Sequence, residues 1–269
     1  LCFVGNVAPH EPFTPPKRVA RFSAQGAPIE EWYGGQDYYA YAAPDPRDPS
    51  QVWIYSSQAF ILLDLDIETG DWSVSETWEP ERLAGGLIYQ MGGFQGQWNV
   101  VYHNDIRYLV GTGSQAQVLR HESGDLRAVS ISSRRNSQMD KIETILGPRP
   151  NWARSFTWRD QNGDGLPQAV EAYYSGSLDS VPDSSKVNPD FSLVGMRRVS
   201  DGLEINLTEA QWDSQGPYYP VSDFNNQVAP IGLIDTNSWV ENRGRGAYQD
   251  AQGDFYGFYN KRTEAHGVF

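Results

Sequence analysis

The chain has 269 residues and a formal net charge of −13. This charge argues against nucleic acids and anionic membrane surfaces as partners, because binding to either requires clustered Lys and Arg. No run of about eighteen apolar residues exists, so the sequence predicts no membrane span. Cys2 is the only cysteine, which excludes an internal disulfide.

Four prolines, at positions 9, 12, 15 and 16, mark the start of the chain. They predict an extended Pro-rich leading segment or linker at 1–16 rather than a helix. The chain opens on the apolar run Leu1–Val4 and lacks an initiator Met. We therefore expect a processed product or a piece of a longer polypeptide.

One pattern recurs four times in residues 17–269: a strand, a short polar turn ending in Gly, and a second strand. The four turns are Ser23–Gly26, Glu68–Gly70, Glu122–Gly124 and Asp250–Gly253. Their flanks alternate polar and apolar residues and are rich in β-branched and aromatic side chains, as hairpin strands are. The turns recur at intervals of roughly 45 to 55 residues, with a gap where the calcium loop falls, and such intervals are typical of propeller blades. The sequence predicts an all-β fold, a β-propeller or part of one, with about five degenerate four-stranded blades.

Helix content is expected to be low. One short helix is predicted around residues 137–146, where the strand pattern is interrupted. One helical turn is predicted at 208–211, where Thr208 is a suitable N-cap residue.

The strongest chemical signal lies at 160–171, which fits the calcium-loop pattern D-x-[DN]-x-[DN]-G-x5-E at every specified position. Ca²⁺ takes about six to eight oxygen ligands at roughly 2.3–2.6 Å, and side chains at alternate loop positions converge on one point. Gly165 permits the sharp turn that this convergence needs. The predicted ligands are the side chains of Asp160, Asn162 and Asp164, the carbonyl of Leu166, Gln168 directly or through water, and both carboxylate oxygens of Glu171.

The residues on either side of the loop indicate which kind of calcium loop it is. Ser155–Trp158 and Ala172–Tyr174 are both strand-like, whereas an EF-hand places its loop between two helices. We expect an EF-hand-like loop between strands, an insertion at about 155–175 that holds one turn rigid. The alternative is a solvated Asn-Gly and Asp-Gly turn that binds no metal.

The segment Phe156–Gly165, with Gln168 and Glu171, resembles the W-x-D-x-N-G-D-G-x-x-Q-x-x-E segment of secreted bacterial β-propeller proteins of the NHL-like type. The hairpin from Arg18 to Tyr33 and the stretch from Gly246 to Asn260 also look like that group. The resemblance implies a propeller with one calcium-stabilised insertion, and it implies no activity. The irregular region 176–245 departs from the pattern and leaves blade number and closure open.

No convincing catalytic set accompanies the loop. The four histidines lack zinc-site spacing, and no Ser lies in a nucleophile elbow. We predict a secreted, non-catalytic calcium-binding propeller, extracellular, periplasmic or on the cell surface, that acts as a binding or assembly module. Its expected cofactor is Ca²⁺, and its expected partners are other protein chains, including copies of itself, or extracellular glycan. The alternative is a polysaccharide-active propeller enzyme that uses acidic residues in a central channel.

Overall fold

The computed structural model divides into two compact units, Leu1–Glu79 and Pro80–Phe269, and each is described by itself. The residues it describes are 2–5, 18–23, 27–33, 41–55, 59–90, 98–113, 115–134, 139–176, 183–199, 202–221, 229–235, 245–250 and 252–259. Most of the predicted leading segment 1–16, with its boundary, lies outside these residues. No helix among the described residues is long and apolar enough to cross a membrane.

The described residues of the first unit form two antiparallel sheets. A three-stranded sheet is formed by β1 (Cys2–Gly5), β2 (Arg18–Phe22) and β3 (Pro28–Tyr33). A four-stranded meander is formed by β4 (Tyr41–Pro44), β5 (Gln51–Tyr55), β6 (Phe60–Leu65) and β7 (Trp72–Trp78). The strands alternate as the sequence predicts, with Trp53 and Leu62 buried and Trp53 stacked on Trp78 at 5.4 Å between ring centroids.

The second unit begins with a 3-10 turn at Leu83–Gly86 and the short helix α1 (Leu87–Gln90), neither of which the sequence predicts. A six-stranded antiparallel sheet follows, formed by β8 (Trp98–His103), β9 (Ile106–Gly111), β10 (Gln115–Glu122), β11 (Asp125–Arg134), β12 (Ser155–Arg159) and β13 (Ala172–Ser175). Consecutive strands are neighbours, and β13 forms one edge. The helix α2 (Met139–Leu146) lies between β11 and β12 in sequence and confirms the predicted helix.

The rest of the second unit contains smaller sheets. The strands are β14 (Asp183–Val187), β15 (Leu193–Val199), β16 (Gly202–Thr208), β17 (Gln211–Trp212), β18 (Pro217–Tyr218), β19 (Ala229–Asp235), β20 (Arg245–Gln249) and β21 (Phe255–Tyr259). One sheet has the order β14-β15-β16-β19, and β17–β18 and β20–β21 are two-stranded. The described chain is therefore all-β with several antiparallel sheets, whose sizes differ more than a regular set of four-stranded blades would.

The helical turn predicted at 208–211 is wrong. Thr208 pairs with Leu193 in the β15–β16 ladder, so its backbone belongs to a strand. Gln211 opens the next strand, β17, which pairs with β18. The capping preference of a single Thr is a weak signal, and tertiary strand pairing overrides it here.

A fully buried tyrosine fixes the segment after β18 onto the six-stranded sheet. Tyr219 donates its hydroxyl hydrogen bond to the carbonyl of Phe191 at 2.6 Å, and burial raises the pKa of this phenol. The carbonyl of Tyr219 accepts hydrogen bonds from the hydroxyls of Ser132 and Thr157, which belong to β11 and β12. These contacts hold the β17–β18 hairpin against the sheet and bring its turn close to the 160–171 loop.

Candidate metal centre

The 160–171 loop connects two neighbouring antiparallel strands. Trp158 of β12 pairs with Ala172 of β13, so the chain leaves and re-enters the sheet at the same end. The only regular element between them is a 3-10 turn at Ala169–Glu171. Strands therefore flank the loop as predicted, and the helices of an EF-hand are replaced by an edge hairpin.

Two glycines give the loop its shape. Gly163 has φ 78° and Gly165 has φ 70°, both in the left-handed region that side-chain-bearing residues rarely adopt. A Cβ atom on Gly163 would lie 2.9 Å from Oε1 of Gln215. A Cβ atom on Gly165 would have its nearest neighbour at 3.7 Å, so the constraint at that position is conformational.

The acidic residues at the two ends of the loop are buried beneath it. Asp160 is 0% exposed and Glu171 is 2% exposed. The Asp160 carboxylate accepts hydrogen bonds from the backbone N–H of Gly163 at 2.9 Å and of Gly165 at 3.0 Å. Loop amides thus wrap around the first predicted ligand.

Glu171 is held in the same way, by backbone N–H groups near the start of the loop. One carboxylate oxygen accepts the backbone N–H of Gln161 at 2.9 Å and of Asn162 at 3.3 Å. The other accepts the indole N–H of Trp158 at 3.1 Å. Among the described residues Glu171 forms no ion pair, so its buried charge is met by N–H donors alone.

Burial raises the pKa of the Asp160 carboxyl. The hydrogen bonds from Gly165 and Gly163 and the positive charge of Arg127 oppose this shift, whereas the neighbouring negative charge of Glu171 adds to it. The charged form of Asp160 is therefore disfavoured in the folded protein, and a nearby cation would stabilise it.

The middle of the loop holds the exposed predicted ligands, which bond to one another. One Asp164 carboxylate oxygen accepts the side-chain amides of Asn162 at 2.9 Å and Gln168 at 2.8 Å. The other accepts the backbone N–H of Leu166 at 2.8 Å. Asn162 in turn accepts the backbone N–H of Asp164 at 3.1 Å. The fold brings these side chains together through hydrogen bonds.

The predicted set meets one requirement of a calcium site and, with the loop as it lies in this structure, does not meet a second. Its side chains offer carboxylate and amide oxygens, the donors that a hard cation prefers, on a loop bent by two glycines. However, no three Asp, Glu, His or Cys side chains in the described part of the chain lie close enough together to hold a metal ion. The donor chemistry fits Ca²⁺, and binding would require Asp164 to approach the two buried carboxylates.

Arg127 is the site residue that the sequence does not reveal. Its Nη1 lies 3.9 Å from the Asp160 carboxylate and donates to the carbonyl of Gly163 at 2.7 Å. Its Nη2 donates to the side-chain oxygen of Gln215 at 3.0 Å. Arg127 thus links the loop to the β17–β18 turn. No local pattern signals this role, because Gly163 and Gln215 lie 36 and 88 residues away in sequence.

No protein-family model matches the chain, and no curated protein matches it. Among solved structures, it is similar to a Bacteroides fragilis NCTC 9343 protein described as a "putative 6-phosphogluconolactonase", with 10% identity and a TM-score of 0.39. That match covers 82% of this chain and 65% of the other. Identity and TM-score are too low to support an argument about fold or activity. The class that the structure itself defines is an all-β protein of several antiparallel sheets.

Proposed function

We propose that the chain is a calcium-binding β-propeller or part of one, and that it acts as a non-catalytic binding or assembly module outside the cytoplasm. Ca²⁺ would order the 160–171 loop on the edge of the six-stranded sheet. The observation that carries the proposal is the burial of two carboxylates, Asp160 and Glu171, at the two ends of one loop.

The energetic argument starts from the cost of burying charge. An isolated buried carboxylate is unstable unless it is paired, hydrogen-bonded or bound to a metal. Arg127 compensates Asp160 only in part, at 3.9 Å, and Glu171 relies on N–H donors. A divalent cation held by both ends of the loop would neutralise the remaining charge and stabilise the folded state.

Calcium binding would rearrange the middle of the loop. The Asp164 carboxylate would exchange its hydrogen bonds with the amides of Asn162 and Gln168 for the metal. Those amides would then be free to turn their own oxygens inward, as the calcium-loop pattern requires. The residues proposed to hold Ca²⁺ are Asp160, Asn162, Asp164, Leu166 through its carbonyl, Gln168 and Glu171.

Three observations support the remainder of the proposal. The β4–β7 sheet is a four-stranded antiparallel meander, the arrangement of a propeller blade. Asp160 and Glu171 are closed off beneath the loop backbone, which suits metal binding and does not suit an acid–base pair acting on a polysaccharide. A strongly acidic chain that uses calcium fits a calcium-containing extracellular medium.

The direct test is calorimetric titration of chelator-treated protein with CaCl₂, and with MgCl₂ as the competing ion. We expect one Ca²⁺ site per chain and weaker Mg²⁺ binding, because Mg²⁺ demands a tighter octahedral shell. Trp158 fluorescence should change with the same midpoint, since its indole N–H contacts Glu171.

The matched variants are Glu171→Gln and Glu209→Gln, which remove the same charge from a buried loop position and from an exposed position. Glu171→Gln should abolish the calorimetric signal, and Glu209→Gln should leave it unchanged. A wild-type protein that gives no heat with calcium and carries no metal by elemental analysis would show that the loop is only a turn.

A further inference from the structure

A cleft beside the loop has a volume of about 500 Å³ and one wall formed by loop residues 163–166. It is lined by three arginines and three acidic residues together with leucine and alanine side chains. The charged residues are Arg82, Arg120, Arg127, Glu122, Asp125 and Asp164. The cleft therefore adjoins the candidate metal centre and shares Asp164 with it.

The two central arginines lie opposite each other on neighbouring strands. Arg120 of β10 pairs in register with Arg127 of β11. Like charges placed directly opposite in an antiparallel pair are destabilising. Their side chains are 15% and 25% exposed, so solvent screens this repulsion only in part. A paired guanidinium site of this kind suits a ligand that carries a carboxylate.

Each of these two arginines already has one carboxylate as an ion-pair partner. Arg120 contacts Glu122 at 2.6 Å, and Arg127 lies 3.9 Å from Asp160. The cleft lining contains three carboxylates and three guanidinium groups, so their formal charges cancel. Its carboxylates are acceptors for hydroxyl groups, and its guanidiniums are donors for a carboxylate. A hydroxyl-rich ligand with one carboxylate matches both.

Calcium would change this balance. Asp160 and Asp164 are both proposed metal ligands. Asp160 also lies near Arg127, and Asp164 also lines the cleft. With Ca²⁺ bound, two of the three negative charges of Asp160, Asp164 and Glu171 would be compensated, and Asp160 would offset less of the positive charge of Arg127. The potential of the cleft then becomes more positive than without the metal, and an anionic ligand is bound more tightly.

We propose that this cleft binds an acidic sugar, a uronate-containing oligosaccharide of about two residues, and that Ca²⁺ in the adjoining loop strengthens the binding. The cleft would contact the uronate carboxylate through Arg120 and Arg127 and the sugar hydroxyls through Asp125. The calcium dependence rests on the proposed function above, whereas the sugar site itself rests on the cleft. Because the coupling is an equilibrium property, the sugar would raise calcium affinity by the same factor.

The test uses cellobiouronic acid as the probe and cellobiose as its neutral counterpart of equal size, titrated by calorimetry at low ionic strength. In calcium the acid should bind more tightly than cellobiose, and chelator should weaken it by about fivefold or more. Arg120→Gln should weaken binding by about tenfold or more, the loss of one charge-assisted hydrogen bond. Glu122→Gln should strengthen binding, because it releases Arg120.

Circular dichroism of both variants verifies that they fold. Because the two substitutions are expected to change the affinity for cellobiouronic acid in opposite directions, a general loss of structure could not explain both results. Equal binding of cellobiouronate with and without calcium, in protein that demonstrably binds calcium, would overturn the coupling. If the protein binds no calcium, the proposed calcium-binding function is wrong. The titration of cellobiouronic acid in chelator then tests by itself whether the cleft binds the sugar. Absence of cellobiouronate binding, or binding only of a short Glu-containing peptide, would overturn the sugar proposal.

Discussion

Two connections within the six-stranded sheet are held in place by different kinds of interaction. The β10–β11 connection is two residues long, Ser123 and Gly124, with φ values of 55° and 78°. Its shape follows from local backbone conformation, as in other tight hairpins. The β12–β13 connection is a loop of twelve residues, 160–171, whose shape depends on two buried carboxylates and on Arg127 from a neighbouring strand.

The difference shows why one connection needs no ligand and the other is a candidate for one. A two-residue turn orders few dihedral angles and buries no charge. The long loop has to order its whole length, which costs roughly 1–2 kcal/mol of backbone entropy per residue. Its two buried carboxylates add to that cost, and a bound cation would offset it. The following changes are expected to affect the two connections unequally.

The largest effect is expected from Asp160→Ala. This change leaves the N–H groups of Gly163 and Gly165 without their acceptor and removes the ion-pair partner of Arg127. The free energy of unfolding should fall by about 1–3 kcal/mol in chelator. In calcium it should fall further, because the metal site is lost. Urea unfolding measures both, and the exposed Glu209→Ala should shift stability by no more than about 0.5 kcal/mol.

A smaller effect is expected from Gly163→Ala, for which Gly147→Ala is the matched control. Both glycines have φ near 80°, and a Cβ atom on Gly147 meets nothing within 4 Å. Each substitution should cost about 1 kcal/mol through the backbone. Gly163→Ala should cost about 1 kcal/mol more, because the new methyl displaces the Gln215 side chain and breaks its hydrogen bond with Arg127. Equal losses in urea unfolding would show that the link to Gln215 contributes nothing.

The smallest effect is expected in the short turn. Ser123 adopts a left-handed conformation that glycine adopts without strain. Ser123→Gly should therefore relieve backbone strain, although Gly also loses more backbone entropy on folding than Ser does. The net stabilisation of the folded protein should be about 0.5 kcal/mol. The gain should be identical in calcium and in chelator. A calcium-dependent gain would mean that the two connections are coupled, contrary to the comparison.

The comparison also separates what the sequence could predict from what it could not. The turns at Glu68–Gly70 and Glu122–Gly124 and the helix α2 depend on neighbouring residues, and the structure confirms them. The pattern of the 160–171 loop is contiguous, and the alternation of residues on both sides of it predicts the flanking strands. These features are local, so the local sequence is sufficient to indicate them.

Features that depend on distant residues were not predicted. The contacts of Arg127 with Gly163 and Gln215 join segments that no spacing rule relates. The six-stranded sheet departs from four-stranded blades because β12 and β13 extend the β8–β11 meander beyond the unit that the turns define. The surroundings of buried Asp160, on which the metal proposal depends, also include a distant residue, since Arg127 of β11 lies 3.9 Å from its carboxylate.

The most direct test of the central claim is a thermal melt of the wild-type protein in calcium and in chelator, with Glu171→Gln melted under the same conditions. Calcium at a hundredfold excess over Kd should stabilise the wild type by about 2.7 kcal/mol. For a chain of this size that corresponds to an increase in Tm of about 5 °C or more. Glu171→Gln should melt at the same temperature in both conditions. A wild-type Tm that chelator leaves unchanged would contradict the claim that a metal ion holds the 160–171 loop in place.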